Sequence, residues 1–337
     1  MRSAAASPDV GAPLAVVLRP LGLGDFLTGV PAYRAIARAF AGHRIVLAAP
    51  SELEPLAALS GCFDRLVPTR PLVSLAPELH GADIAIDLHG RGPASHRVLL
   101  AAEPRRLVAF RNAEVPQSAD GAVWRPDEHE VERWCRMLAH AGIAADPADL
   151  ALPVPDCAVP GFVHGATLLH PSAASEARRW PVERWIAVAR AERGAGRTVI
   201  VTGGPGDRER AARIAAGAGL SAATVFAGRT GLRELAALVA AAGRVVCGDT
   251  GVAHLATAYD TPSVVLFGPI SPALWGPPRR PHFRALWAGR SGDPHGSTVD
   301  PGLLEIGVEQ VAAELASLAA EAERRPRIGR LAAPVLR

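Results

Sequence analysis

The sequence predicts an α/β protein of two domains, each built on a parallel β-sheet and facing the other across a cleft. Short apolar runs alternate along the chain with segments of helical periodicity. The 337 residues are enough for two domains of ordinary size. A proline-rich segment at residues 152–161 separates the runs into two series and has the composition of a stiff linker.

The first domain is predicted to span residues 14–155. Residues 14–18 form an apolar run typical of a buried strand, and a helix follows in which Val30, Tyr33 and Ile36 recur at helical spacing. Runs at 44–48, 83–88 and 106–110 continue the pattern of strands. Residues 1–13 are small and polar, and we expect them to be disordered.

The second domain is predicted to span residues 156–323. Its strands are expected at 167–170, 198–202, 224–227, 245–247 and 264–267, with helices at about 182–193, 207–218 and 231–242. Residues 324–337 form a basic tail broken by proline, for which we predict disorder. Its arginines could touch an anionic inner-membrane surface, although a solvated tail is the simpler expectation.

Composition excludes several classes of protein. Hydrophobic residues make up 49% and charged residues 20% of the chain, as in soluble globular proteins. No apolar run approaches the ~20 residues that a membrane span needs. A net charge of +3, spread along the chain, argues against nucleic-acid binding. The four cysteines lack the paired spacing of a zinc site. We therefore expect a cytoplasmic monomer without a metal or cofactor.

The most informative segment runs from Val245 to Leu255. An apolar strand leads through Asp249-Thr250-Gly251 into a helix, whose free N–H groups and macrodipole favour phosphate. Thr250 adds a hydroxyl, Gly251 permits close approach, and His254 lies one turn into the helix. Asp249 is interpreted as a cap or as a partner that orients N–H groups or His254. An ordinary capped helix is the alternative interpretation.

This segment resembles the D-T-G-x-x-H signature of glycosyltransferase family 9, the ADP-heptose:lipopolysaccharide heptosyltransferases. Further segments similar to the family occur in its order: residues 18–25 with Pro31, 83–90, 170–173 with 178–181, and 263–269. The similarity spans roughly residues 14 to 315. It implies the GT-B fold, in which two Rossmann-like domains bind ligands at the carboxyl ends of both sheets, without a metal. It also implies that the helix at 308–323 returns to the first domain.

The resemblance assigns the catalytic roles to two residues. Asp25, on the loop Gly22-Leu23-Gly24-Asp25, corresponds to the general base of an inverting sugar transfer, a role that suits a carboxylate facing the cleft. Alternatively, Asp25 caps a helix that starts near Leu27. Arg178 stands where the family has a lysine, two residues before Trp180. A fixed cation there would stabilise the departing diphosphate, although arginine and lysine differ in geometry.

The remaining candidates divide between donor and acceptor. The donor set combines residues 172, 207 and 229 with the D-T-G segment: Ser172, Asp207, Arg229, Asp249, Thr250, Gly251, Val252 and His254. Asp207 would bind the nucleotide's ribose, with helix capping as the alternative, and the loop around Arg229 resembles the family's nucleobase-side loop. Asp87, His89 and Arg91 follow a strand of the first domain and are predicted to contact the acceptor.

The sequence therefore predicts an inverting glycosyltransferase that moves a heptose-like sugar from a nucleoside diphosphate, ADP by resemblance, to a hydroxyl of a glycan or glycolipid. Alternatives are a GT-B transferase or epimerase that uses another sugar nucleotide, or a non-catalytic sugar-nucleotide-binding module. A nicotinamide enzyme is disfavoured, because Leu27 replaces the third glycine of that fingerprint and no acidic residue ends the second strand.

Overall fold

A computed structural model describes residues 11–324 of the chain, and side chains through residue 318. This part of the chain forms two five-stranded parallel sheets. The first has the order β3-β2-β1-β4-β5 and the second β10-β9-β8-β6-β7. In both, the chain starts near the middle of the sheet and crosses over to each side, so ligand-binding loops are expected where the strand order reverses.

The first sheet is surrounded by the helices of the first half. Its strands are β1 (Leu14–Leu18), β2 (Arg44–Ala49), β3 (Arg65–Pro68), β4 (Ile84–Asp87) and β5 (Leu107–Val108). Its helices are α1 (Leu23–Thr28), α2 (Val30–Ala39), α3 (Glu54–Ser60), α4 (Ala94–Leu100) and α5 (Glu130–His140). Leu18 pairs with Ala48 and Asp87, so the carboxyl ends of the three central strands meet at one edge.

The second sheet repeats this arrangement. Its strands are β6 (Thr167–His170), β7 (Val199–Val201), β8 (Arg244–Gly248), β9 (Ser263–Phe267) and β10 (Phe283–Trp287). The helices are α6 (Val182–Gly194), α7 (Arg208–Ala218), α8 (Leu232–Ala241), α9 (Gly251–Ala258), α10 (Pro272–Trp275), α11 (Pro301–Glu305) and α12 (Val308–Arg324). No helix within residues 11–324 is long and apolar enough to cross a membrane.

Most predicted strands are confirmed, but the strand expected at 224–227 is wrong. Ala222–Thr224 forms a 3₁₀ turn, and Val225 makes one isolated bridge to Val201. The Phe226 N–H still donates to the Val201 carbonyl at 2.7 Å and the Gly228 N–H to the Gly203 carbonyl at 2.9 Å, but the chain turns at Gly228 with φ +65° and no strand forms. The fifth strand of this sheet is instead β10, at the opposite edge, which the sequence pattern did not predict. In the first sheet, the edge strand β3 was also not predicted.

The last helix corrects a second expectation. Instead of returning to the first domain, α12 packs on the second, where Val311, Leu315 and Leu318 share a core with Trp185 of α6. Arg244 at the start of β8 donates a hydrogen bond to the Leu315 carbonyl at 3.0 Å. Because the apolar stripe of α12 is buried on its own domain, none of these three side chains is available for the first domain.

The two sheets are joined by a continuous core. One hydrophobic cluster contains β1 and β2 residues as well as residues of α8 and α9, and the Leu152 N–H in the linker donates to the Ala258 carbonyl at 3.2 Å. We propose the domain division at 155/156. The predicted disorder before residue 11 and the tail after residue 324 lie outside the described residues. Pro13 accepts a hydrogen bond from Arg44, which extends the first sheet.

Candidate active site

The site lies where α1 of the first domain meets α9 of the second. A Cβ atom added at Gly24 would lie 3.6 Å from the Gly251 Cα and 3.3 Å from the His254 ring. A Cβ added at Gly251 would lie 2.6 Å from Leu23. Glycine at 251 is therefore required by the contact between the two domains, in addition to any approach of phosphate that the sequence predicts.

A cavity of about 490 Å³ opens beside this contact, at the carboxyl ends of both sheets. It brings together most of the predicted catalytic and donor-binding residues: Asp25, Ser172, Arg178, Asp207, Asp249, Thr250, Gly251 and His254. Gly22, Gly24, His170, Ala173, Ala174, Ile270 and Trp275 complete its wall. Within residues 11–324, no group of three or more His, Cys, Asp or Glu side chains is arranged to hold a metal ion.

Asp25 contributes a carboxylate from the first domain. It is the third residue of α1, which begins at Leu23, four residues earlier than the expected start near Leu27. Burial raises the pKa of the Asp25 carboxyl, while the positive charge of Arg19, 3.8 Å away, opposes that rise. A carboxyl with a raised pKa that still faces a cavity is suited to accept a proton.

Arg178 contributes a cation from the second domain. Its Nη1 lies 3.5 Å from the Asp249 Oδ2 and 3.3 Å from the Asp249 carbonyl oxygen. The partner of the Asp249 carboxylate is Arg178, so Asp249 is placed to orient this guanidinium. Burial raises the pKa of the Asp249 carboxyl, and Arg178 opposes the rise. The pair therefore fixes a guanidinium group at the cavity wall.

Several polar atoms of this wall have no protein hydrogen-bond partner among the described residues. They are the Ser172 Oγ, the Arg178 Nε and the Thr250 Oγ1. Thr250 is also the N-cap of α9, so the free N–H groups of that helix begin here. Buried polar atoms without partners are rare and costly. An anionic ligand with several oxygens would satisfy them.

Two histidines and a capping aspartate complete the second-domain wall. Burial lowers the pKa of both His170 and His254 to about 4, so both rings are neutral near pH 7. His170 Nδ1 lies 2.9 Å from the Thr202 hydroxyl. Asp207 accepts a hydrogen bond from the Gly204 N–H at 2.9 Å while lining the cavity. It therefore caps its turn and also lies where ribose binding is predicted.

The structure buries the side chains of two residues that were predicted to contact a ligand. The Asp87 side chain is fully buried, and its two carboxylate oxygens accept from the His89 N–H at 2.8 Å and from His96 Nδ1 at 2.7 Å. It therefore anchors β4 to α4 and cannot reach an acceptor. Val252 lies in the hydrophobic core, where the first turn of α9 packs inward, so its side chain cannot touch the donor.

Three other predicted residues lie outside the cavity wall. Arg229 is exposed and donates to the Val225 carbonyl at 3.2 Å. Arg91 is exposed, and only its carbonyl is engaged, by Asn112. His89 is half-buried, and its Nδ1 has no partner among the described residues. Burial lowers the pKa of His89, and the charges of Asp87 and Asp25 oppose that change.

The sequence interpretation missed Arg19, Glu130 and Trp275. Arg19 is fully buried behind Asp25, and Glu130 reaches it from α5. Trp275 lines the cavity and contacts the His254 ring, with centroids 6.0 Å apart. The sequence could have indicated Arg19, because a charged residue directly after a buried strand is expected at the edge of the sheet where the ligand site lies. No sequence pattern indicated Glu130, because it lies 111 residues from Arg19 along the chain.

Two parallel-sheet domains with a polar cleft at the carboxyl ends of their strands define a protein of the GT-B fold. The chain belongs to glycosyltransferase family 9 (heptosyltransferase), whose family model matches residues 74–295.

Curated relatives and solved structures agree with this assignment. Lipopolysaccharide heptosyltransferase 1 of Pseudomonas aeruginosa is 33% identical over 160 residues, which cover 44% of this chain and 42% of that protein. Lipopolysaccharide heptosyltransferase 2 of Salmonella typhimurium is 32% identical over 120 residues, 35% of this chain and 33% of that protein. The matched segments thus span less than half the length of these relatives.

The solved structures cover nearly the whole fold. The E. coli ADP-heptose lps heptosyltransferase II superposes with a TM-score of 0.73 at 22% identity, covering 92% of this chain and 99% of that one. The family 9 glycosyl transferase of Veillonella parvula gives a TM-score of 0.75 at 20% identity, covering 92% and 98%. These similarities establish the GT-B fold.

Proposed function

We propose that this protein is an inverting glycosyltransferase that transfers a heptose-like sugar from a nucleoside diphosphate, with ADP as the expected nucleotide, to a hydroxyl of a glycan or glycolipid. The observation that carries the proposal is the placement of Asp25 and Arg178 on the wall of one cavity, from different domains. One residue can take a proton and the other can bind an anion. A transfer reaction needs both at the same time.

The cavity supports a direct displacement. The acceptor hydroxyl oxygen forms a bond to the anomeric carbon of the donor, and the bond from that carbon to the diphosphate oxygen breaks. The hydroxyl proton passes to the Asp25 carboxylate. The diphosphate leaves with increased negative charge, which Arg178 and the N–H groups at the start of α9 stabilise.

The assignment of donor and acceptor sides follows the two domains. Ser172, Asp207, Thr250 and the start of α9 belong to the second domain and provide the donors and acceptors that a nucleotide sugar requires. His89 lies on the first-domain side near Asp25 and is proposed to contact the acceptor. Solved relatives support ADP as the donor nucleotide: one is the E. coli heptosyltransferase WaaC with ADP-2-deoxy-2-fluoro heptose.

The remaining features of the proposal concern context. We propose a cytoplasmic monomer that meets a lipid-linked acceptor at the inner membrane surface, with the arginines of residues 324–337 contributing peripheral attraction. The proposed class of acceptor is based on the curated relatives, which are named as lipopolysaccharide heptosyltransferases.

A donor screen followed by product analysis tests the function. Thermal unfolding is measured with ADP-, GDP-, UDP- and dTDP-sugars, since a bound ligand stabilises the folded state in proportion to its affinity and concentration. The stabilising donor is then incubated with heptose-free lipopolysaccharide core, and the anomeric configuration of the product is read by NMR. Transfer with inversion supports the proposal. Epimerised donor, or binding without transfer by the wild-type protein, would contradict it.

A further inference from the structure

The first-domain side of the cavity contains an ion-pair network that the reaction described above does not use. Arg19 follows β1 directly and its side chain is fully buried. Glu130 is the first residue of α5, is itself buried, and lies 111 residues further along the chain. The Arg19 Nη2 lies 3.1 Å from the Glu130 Oε1. Burying two charges is costly, so their retention beside the cavity calls for a role.

The three side-chain nitrogens of Arg19 connect the segment that carries Asp25 to the first sheet. Its Nε donates to the Asp25 carbonyl oxygen at 2.6 Å. Its Nη1 donates to the Leu88 carbonyl at the end of β4, and its Nη2 lies 3.2 Å from the Thr28 hydroxyl. The Thr28 hydroxyl in turn donates to the Asp25 carbonyl at 3.0 Å. The backbone of α1 at Asp25 is thereby fixed to the sheet.

Glu130 is held as firmly as Arg19. Its Oε1 also accepts from the Trp134 Nε1 at 2.7 Å, and its Oε2 is hydrogen-bonded to Arg133. The Arg19 guanidinium lies over the Trp134 ring, 4.8 Å from its centroid. Each charge of the pair is therefore held by several contacts besides the ion pair itself.

We propose that Arg19 and Glu130 act together as positioning residues that hold the α1 backbone at Asp25 and keep its half-buried carboxylate charged. The inference rests on the proposed role of Asp25 as general base. Arg19 attracts the carboxylate from 3.8 Å, which favours its charged form. Glu130 opposes that effect and moderates it, so the carboxylate stays basic enough to accept a proton.

Other groups face Asp25 but do not determine its charge. They are Tyr33 of α2, His89 after β4, and, across the cavity, His254 of α9 and Arg178. Burial raises the pKa of Tyr33 and lowers that of both histidines, so these three groups are neutral near pH 7. Arg178 is already paired with Asp249. Burial raises the pKa of Asp25, and Arg19 and Glu130 are the charged side chains that act on it beyond this effect.

The test uses two substitutions with opposite expected signs. Arg19→Gln removes the attracting charge, so the acid limb of the kcat/KM profile should move to higher pH by about one unit or more. Glu130→Gln removes the opposing charge, so the same limb should move to lower pH. Arg19→Lys keeps the charge and should stay close to wild type. Arg97→Gln, at the exposed pair with Glu114, is the matched control and should leave the profile unchanged.

A direct titration separates this inference from the proposed function. The pKa of Asp25 is measured by ¹³C NMR in the unliganded protein, with the signal assigned by its loss in Asp25→Asn. Opposite shifts by NMR without matching shifts in kcat/KM would support the positioning inference and contradict Asp25 as the base. An Asp25 pKa unmoved by Glu130→Gln would overturn the inference, even if Arg19→Gln fails to fold. If Arg19 and Glu130 only stabilise the fold, both substitutions should lower the stability by equal amounts and should not shift the Asp25 pKa in opposite directions.

Discussion

The two sides of the cavity each place an aspartate beside an arginine, but they leave opposite partners facing the ligand. On the first-domain side, Asp25 keeps 29% of its side-chain surface exposed while Arg19 has none. On the second-domain side, Arg178 is 20% exposed while Asp249 retains 8%. The same two residue types thus present a carboxylate at one wall and a guanidinium at the other.

The difference shows how burial selects the reactive member of an ion pair. Arg19 lies behind α1 with three backbone or hydroxyl acceptors beside Glu130, so its hydrogen-bonding capacity is largely used. The Arg178 guanidinium has an Nε without a partner among the described residues, and its Nη1 lies more than 3 Å from both Asp249 acceptors. A guanidinium with unused donors can bind a ligand, whereas a saturated one can only organise its neighbours.

The largest expected effect comes from Asp25. Asp25→Asn keeps the shape but cannot take a proton near neutral pH, so transfer should fall by about 10²–10⁴-fold. Donor binding and melting temperature should stay close to wild type, because the Asp25 backbone carbonyl still accepts from Arg19. Transfer rate, donor affinity and thermal unfolding are measured on the same preparation.

Asp25→Ala serves as the companion variant. If Asp25 only stabilises the start of α1, Asn should be nearly harmless and Ala should cost about 1 kcal/mol of stability. An Asp25→Asn enzyme with wild-type turnover would remove this residue from the chemistry and with it the proposed asymmetry between the two walls.

The exposed cation on the other wall is expected to have the next largest effect. Arg178→Ala should lower kcat by about 10²-fold with a smaller change in donor affinity, because the charge on the departing diphosphate grows in the transition state. Single-turnover kinetics and donor titration separate the two quantities. Arg213→Ala, at an exposed pair with Glu183, is the control and should be silent. Loss of affinity with kcat intact would make Arg178 a ground-state anchor.

Asp249 provides a smaller and complementary test. Asp249→Asn leaves the Arg178 charge in place and removes its charged anchor, so kcat should fall by about tenfold, within the range of one hydrogen bond to a charged group. In the double variant with Arg178→Ala, the two losses should not add, because Asp249 acts through Arg178. Fully additive losses would show that Asp249 contacts the ligand by itself.

The smallest effect concerns a buried pair away from the cavity. His96 has acceptors at both ring nitrogens, Asp87 and the Phe110 carbonyl. Burial alone would lower the pKa of His96, but Asp87 outweighs it and raises the pKa above 6.5. The protonated His96 ring therefore stabilises the folded protein fully below pH 6.5, the pKa of an unperturbed histidine. This stabilisation is lost as the pH rises through the higher pKa that His96 has in the folded protein.

Chemical unfolding between pH 6 and 9 checks this prediction. The free energy of unfolding should decline with pH at no more than about 1.4 kcal/mol per unit for one proton. His96→Gln should flatten the decline. His170 should make the free energy of unfolding depend on pH in the opposite direction, because burial lowers its pKa to about 4. The stability that its neutral ring contributes is lost as the pH falls from 6.5 towards 4. Equal slopes in wild type and His96→Gln above pH 6.5 would contradict the assignment.

The sequence by itself determined the two-sheet class and the location of the cleft. Apolar runs such as Leu14–Leu18 and Thr167–His170 are local features, and both appear as predicted strands. Because parallel strands end at one edge, polar residues that follow them had to meet there. Asp25 follows β1 of the first sheet, Arg178 and Thr250 follow strands of the second, and all three line the cavity between the two edges.

Tertiary structure decided which of these polar residues face the cavity. Asp87 is the last residue of β4 and lies at the same edge of its sheet as the segment that carries Asp25, yet His96 from α4 covers it. The apolar stripe of α12 could have packed on either domain, and its partners on α6 and β9 are distant in sequence. Arg19 is tied to Glu130 across 111 residues, a contact without any local pattern. Periodicity reports the neighbours along one element, whereas burial and charge pairing depend on which elements meet in space.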